Sequence, residues 1–118
     1  MNIEFRINEF EGPLDLLLHL IKESKMDIMN IEIESITKQY MDYLEEQEKM
    51  NLEIASEYLV LASELLEIKS KMLLPSYKDE NEEEEEDPRE QLINRLLEYQ
   101  AYKEITKVLQ EKESLRRE

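Results

Sequence analysis

The chain of 118 residues contains no cysteine and no tryptophan, and it has one histidine, one glycine and three prolines. The lack of cysteine excludes a disulfide, a thiolate metal site and a cysteine nucleophile. A P-loop or a serine nucleophile elbow needs more glycines than the chain has, so those enzyme classes are excluded too. The one histidine, His19, is expected on the solvated strip of a helix, where it forms neither a triad nor a two-histidine metal site. We therefore expect no catalytic residue, no cofactor and no metal.

Long apolar runs are also missing. The sequence shows neither an apolar span of about 18 residues nor a secretory signal, which predicts a soluble, cytoplasmic protein that does not contact a membrane. Acidic residues outnumber basic ones by 30 to 15, which gives a net charge of −15. Because binding to a phosphate backbone requires clustered lysine and arginine, we expect no direct binding to nucleic acid.

The composition favours helices, since 38% of the residues are charged, 41% are hydrophobic and few are turn formers. Only residues 2–8 alternate apolar and polar side chains as a half-buried strand does. Ile31 and Ile33 are the one other alternating pair, so this segment either pairs locally, borrows a partner strand or packs on helices. The predicted fold is all-α: a small domain of about three helices with a short N-terminal strand, an acidic linker and a long C-terminal helix.

Three helices are predicted in the small domain. The first starts at Pro13 with Gly12 as its N-cap, and it is apolar around most of its circumference, so it must be covered on most sides. Asn51 is expected to cap the third helix. The predicted spans are 13–24, 34–48 and 52–73.

The third helix carries two apolar stripes. The first stripe contains Ala55, Leu59, Ala62, Leu66 and Leu73. The second stripe contains Ile54, Tyr58, Leu61, Leu65, Ile68 and Met72. Together they are wider than the stripe of about 100° that one packed neighbour needs. Either both stripes pack against the first two helices, or the second stripe is a docking surface for a helix of another chain.

An acidic run separates this domain from the tail. Residues 79–90 hold nine acidic residues and one arginine, so they repel one another and lack an apolar anchor. A calcium loop is disfavoured because Glu84 stands where the sharp turn needs glycine. Its ligands would have been Asp79, Asn81, Glu83 and Glu90. We therefore interpret the run as a linker.

A further helix is predicted after the linker, with Asp87 as its cap and Pro88 as its first residue. The tail is nearly neutral and rich in apolar residues, and the linker does not ensure that it folds back on the domain, so a binding partner is the simplest explanation for it. The predicted division is a helical domain at 1–76, a linker at 77–87 and a helical segment at 88–118.

Four stretches indicate a family. They are FEGPLDLLLHLI at 10–21, ITKQYMDYL at 36–44, IASEYLVLASELLEIKSKMLLP at 54–75 and DPREQLINRLLEYQAYK at 87–103. With these motifs, in this order, the chain resembles the segregation and condensation protein A (ScpA) family, the bacterial kleisins, from about residue 3 to about residue 110. The first and third stretches are far more specific than a helix pattern.

The resemblance implies a non-enzymatic subunit of the bacterial condensin complex, which bridges the head domains of an SMC ATPase dimer and binds a ScpB dimer. In the family, the N-terminal helical domain packs on the SMC neck coiled coil, the middle segment engages ScpB, and a C-terminal winged-helix domain binds the other SMC head. This chain lacks the winged-helix portion, so we expect it to be the N-terminal part of a family member. It would associate with the nucleoid through SMC.

The resemblance and the apolar stripes together predict two sets of contact residues. The set expected at the SMC neck comprises Tyr40, Leu44, Tyr58, Leu61, Leu65, Ile68 and Met72. The set expected at ScpB comprises Leu92, Leu96, Leu97, Tyr99 and Tyr102. The alternative interpretation is an unrelated helical adaptor that binds a coiled-coil partner, and a calcium- or carboxylate-using enzyme ranks far behind it.

Overall fold

The computed structural model describes residues 6–75 and 86–117. Over these residues the chain is all-α, as predicted, and it contains no strand. The four helices are α1 at Pro13–Glu23, α2 at Ile33–Lys49, α3 at Ser56–Leu73 and α4 at Glu90–Arg117. Two short 3₁₀ turns, at Ile7–Glu9 and Ile28–Asn30, precede α1 and α2.

The start of α1 follows the sequence prediction. Gly12 is the N-cap and Pro13 is the first helical residue. The backbone of Gly12 is extended, and a Cβ added there would meet no atom within 4 Å. The fixed φ of proline therefore sets this start, since Gly12 needs no special conformation. The carboxylate of Asp15 accepts the N–H of Glu11 at 3.0 Å and so satisfies a donor beside the first turn.

Helices α1 and α2 end in the same way, with one residue in the left-handed conformation. These residues are Lys25, with φ of 57°, and Asn51, with φ of 60°. After Asn51, the N–H of Leu52 returns to the carbonyl of Gln47 at 3.1 Å, which is the hydrogen bond of a Schellman motif. The prediction that Asn51 caps the third helix is therefore wrong: Asn51 ends α2, and α3 begins at Ser56.

The N-terminal segment is not a strand where it is described. Residues 2–5 of the predicted strand lie outside the described residues, and Ile7–Glu9 form a 3₁₀ turn, so the strand prediction is wrong for that part. The N–H of Ile7 donates to Oε1 of Gln47 at 3.0 Å, and the hydroxyl of Tyr58 donates to the carbonyl of Ile7 at 3.4 Å. The core side chains of α2 and α3 thus take the place of a partner strand.

The core contains residues from all four helices. Leu16, Leu17 and Ile21 of α1 are fully buried, and Leu92 and Leu96 of α4 are buried with them. The helix α4 begins at Glu90, two residues later than predicted, because Pro88 and Arg89 form a turn before it. Oδ1 of Asp87 accepts the N–H of Arg89 at 2.9 Å, so Asp87 caps this turn rather than the helix itself. Residues 77–85 of the predicted linker lie outside the described residues.

The left-handed conformation of Asn51 yields a stability prediction. Asn51→Gly should keep or slightly raise stability, whereas Asn51→Val should lower it by about 1–2 kcal/mol, because a β-branched residue is strained at positive φ. Urea unfolding followed by circular dichroism measures both. Glu53→Val is the control, since Glu53 is exposed and does not have a positive φ. Equal stability of the two Asn51 variants would show that the strain is absent.

Candidate partner-binding surfaces

One face of α3 is buried inside the domain. The buried side chains of the predicted SMC set are Tyr58, Leu61, Leu65 and Ile68 of α3 with Tyr40 and Leu44 of α2. The hydroxyl of Tyr40 donates to the carbonyl of Tyr58 at 2.8 Å, which joins the two helices inside the core. Burial raises the pKa of Tyr40, and it raises the pKa of the neighbouring Tyr43 to about 12. The expectation that these six side chains form a free outer surface is wrong, because all six are buried where α2 and α3 pack against each other.

Met72 is the exception in the predicted SMC set. It lies near the C-terminal end of α3 and is 41% exposed. It lies at a position of the buried stripe that the domain does not cover, so its side chain is accessible to a partner.

A second face of α3, about 100° around the helix from the buried face, is apolar and largely exposed. Leu59, Leu66 and Leu73 are 49%, 47% and 68% exposed, and they follow one another at intervals of seven residues. Ala55 and Ala62 each lie four residues before a leucine of this row, but only Ala55 is exposed, because Ala62 is buried in the core. We call Ala55, Leu59, Leu66 and Leu73 the α3 seam. Alternating spacings of three and four residues repeat every seven and are typical of a helix that packs along another helix in a coiled coil.

Small side chains border the α3 seam. Ser56, Ser63 and Ser70 are all exposed, and they too follow one another at intervals of seven residues. The hydroxyl of Ser63 donates to the carbonyl of Leu59 at 3.2 Å, so it is held against its own helix. A helix packed on the seam can approach closely along this side, because no long side chain stands in the way.

The first half of α4 is docked on the domain. Leu92, Ile93 and Leu96 are buried in the core, and Leu97 is partly buried against it. The expectation that the domain does not support this segment is therefore wrong, and Leu92 and Leu96 of the predicted ScpB set are not accessible to a partner.

Four polar side chains hold this docked half: Arg89, just before α4, and Arg95, Tyr99 and Lys103 within it. The guanidinium of Arg89 donates to the carbonyl of Ile31 at 2.7 Å and to Oδ1 of Asn30 at 3.1 Å. Further along the helix, Arg95 pairs with Glu64 of α3. The contacts therefore reach α3 as well as the segment that precedes α2.

The docked half ends at a partly buried cluster of polar groups. Nζ of Lys103 lies 2.7 Å from Oδ1 of Asp15, a carboxylate whose side chain is only 10% exposed. The hydroxyl of Tyr99 donates to Oε2 of Glu11 at 2.8 Å, and its ring lies 5.8 Å from the ammonium of Lys103. Burial, together with this hydrogen bond to Glu11, raises the pKa of Tyr99. Tyr99 of the predicted ScpB set is thus engaged within the chain.

The second half of α4 projects a free apolar stripe. Its residues are Tyr102, Ile105, Val108 and Leu109, and we call them the α4 stripe. All four are about half exposed or more, and a shallow depression lies between Ala101, Ile105, Val108 and Leu109. Leu96 and Ile105 are nine residues apart, which at about 100° per residue puts them on opposite sides of the helix. The α4 stripe therefore points away from the docked face, and Tyr102 is the residue of the predicted ScpB set that it contains.

Comparison with known proteins places the chain in a family. The family model described as "Segregation and condensation protein ScpA" matches residues 20–118. The chain belongs to this family. It is 55% identical over 112 residues to the segregation and condensation protein A of Oceanobacillus iheyensis, an alignment that covers 92% of this chain and 45% of that protein.

Other curated relatives with the same name give the same result. The segregation and condensation protein A of Halalkalibacterium halodurans is 52% identical over 115 residues, with 94% of this chain and 44% of that protein covered. That of Listeria welshimeri is 50% identical over 120 residues, with 98% and 48% covered. This ScpA family chain therefore spans about half the length of the curated relatives that it matches.

The described residues of this ScpA family chain contain neither a membrane-spanning helix nor a metal-binding cluster. Within 6–75 and 86–117, no helix is both long and apolar enough to cross a bilayer, and no group of three histidine, aspartate or glutamate side chains is placed to hold a metal ion. Three ligands of the disfavoured calcium loop lie outside the described residues. His19 is half-buried on α1, with Nε2 3.1 Å from the carboxylate of Glu23.

Two adjacent leucines test the assignment of the faces of α3. Leu65→Ala should destabilise the fold by about 2–5 kcal/mol, because it leaves a cavity in the core. Leu66→Ala should change stability by less than about 0.5 kcal/mol, because Leu66 is on the free face. Urea unfolding of both variants checks this. A large loss for Leu66→Ala with little loss for Leu65→Ala would reverse the assignment.

Proposed function

We propose that this chain is a non-enzymatic kleisin subunit that connects an SMC ATPase to a ScpB dimer in chromosome condensation and segregation, in the cytoplasm at the nucleoid. Family membership supports a function in that process, and the relatives carry it in their name. The observation that carries the proposal is the α3 seam: an exposed, apolar helix face with seven-residue spacing that no element of the described chain covers.

The α3 seam is the proposed binding surface for the SMC neck. A neck coiled coil presents helices with the same seven-residue repeat, so the seam can pack along it in a shared helical bundle. The exposed Met72 lies near the same end of α3 as Leu73 and extends the apolar surface. The buried residues of the predicted SMC set contribute indirectly. They pack α3 against α2, and this packing leaves the seam exposed to solvent.

The α4 stripe is the proposed binding surface for ScpB. An amphipathic helix that inserts its apolar side into a groove uses anchors three or four residues apart, as Tyr102, Ile105 and Leu109 are. Tyr102 supplies the aromatic anchor that such interfaces favour. Leu97 and Tyr99 are partly buried in this chain, so we place them at the edge of the interface. The net charge of −15 makes direct DNA binding by this chain unfavourable.

The SMC surface is tested by a double substitution on the seam. Leu59→Glu with Leu66→Glu should weaken binding to an SMC head that carries its neck by about a hundred-fold, because two apolar contacts are lost and two charges enter the interface. Isothermal titration calorimetry measures the affinity. Val60→Glu is the matched control, since Val60 is 66% exposed but lies off the seam. Normal binding by the double variant, or an equal loss with the control, would exclude the seam.

The ScpB surface is tested in the same way. Ile105→Glu with Leu109→Glu should weaken binding to a ScpB dimer by about a hundred-fold. The same variant should bind the SMC head and neck normally, since the α3 seam is intact. Gln110→Glu is the control because Gln110 lies about 140° around the helix from Ile105. Unchanged ScpB binding by the double variant would contradict the assignment.

A further inference from the structure

Helix α4 belongs to two surfaces at once. Its first half completes the core of the domain, and its second half carries the α4 stripe, yet both lie on one continuous helix, Glu90–Arg117. The two surfaces meet without a break, because Tyr102 of the stripe is followed directly by Lys103, which pairs with Asp15. The end of the docked half therefore fixes the start of the free half.

The docked half is held at several points that reach different parts of the domain. The four tethers are Arg89 to Ile31 and Asn30, Arg95 to Glu64, Tyr99 to Glu11 and Lys103 to Asp15. They run from Arg89, just before α4, to Lys103, beside the α4 stripe. A helix fixed at both ends of its docked half cannot change its direction by rotating about one contact.

Undocking this half would be unfavourable. It would return three core side chains, Leu92, Ile93 and Leu96, to water. It would also leave the largely buried carboxylate of Asp15 without its ammonium partner. A partner on the α4 stripe approaches from the opposite side of the helix, so none of these groups has to move when it binds.

We propose that α4 is a fixed strut: its first half stays docked while the α4 stripe holds its partner, so this chain sets the direction of that partner relative to the α3 seam. The strut rests on the proposed function, because the partner used to test it is ScpB. The alternative is that the partner strips α4 from the domain and uses its buried face.

A covalent lock separates the two alternatives. The chain contains no cysteine, so Glu64→Cys with Arg95→Cys, joined by a short bismaleimide, ties α4 to α3 at one defined point. These two side chains contact each other and are both partly exposed, at 28% and 45%. The locked chain should bind the ScpB dimer within about two-fold of the unlocked wild type in calorimetry. Binding at least ten-fold weaker would overturn the strut.

Two further measurements complete the test. Lys38→Cys with Asp42→Cys, linked in the same way within α2, controls for the linker chemistry, since this pair is exposed and lies on α2. Hydrogen exchange of the backbone amides of residues 92–103 reports on docking without any substitution. Unchanged or slower exchange with saturating ScpB supports the strut, and faster exchange overturns it. Failure of the wild type to bind ScpB overturns the proposed function, and the strut with it.

Discussion

The fold depends on the need to cover α1. Leu16, Leu17 and Ile21 are fully buried, and Leu18 and Leu20 are nearly so, which leaves only a narrow part of the helix in water. A helix that is apolar around most of its circumference needs neighbours on several sides, and a small domain has few to offer. Helices α2 and α3 cover part of it, and the first half of α4 covers another part. The tail of the chain is thus recruited into the core by the composition of the first helix.

The local features of this arrangement could be predicted from the sequence. Pro13 after Gly12 marks the start of α1, the apolar spacing identifies α2 and α3, and the two stripes of α3 exist as the periodicity indicates. Each of these depends on residues near one another in the chain. Asn51 shows the limit of such signals, because asparagine is favoured both at the start of a helix and in the left-handed residue that ends one. In the structure Asn51 ends α2, where the N–H of Leu52 donates to the carbonyl of Gln47.

The assignment of the faces required contacts that are distant in sequence. Periodicity shows that α3 has two apolar stripes, but it does not say which one α2 covers. In the structure the stripe with Tyr58 and Ile68 faces the core, while the leucines at seven-residue intervals face outward. The composition of the two stripes differs in a way that agrees with this assignment. The outer stripe combines leucine with alanine and is bordered by serines, whereas the buried stripe contains Tyr58 and Ile68. The docking of α4 was harder still to predict, because Leu92 and Leu96 are separated from α1 by the acidic run.

Apolar burial and charge have different effects on the docking of α4. Residues 1–78 hold 16 acidic and 8 basic residues, whereas residues 91–118 hold 5 acidic and 6 basic ones, so the tail is the natural electrostatic partner of the domain. Exposed ion pairs such as that of Arg95 with Glu64 contribute about 0–1 kcal/mol each and weaken with salt. Full burial of a leucine or isoleucine contributes about 1.5–3 kcal/mol and does not depend on charge. The three buried side chains of α4 therefore contribute most to holding it on the domain. The polar tethers add contacts at both ends of the docked half, and the last of them, from Lys103 to Asp15, lies directly beside the α4 stripe.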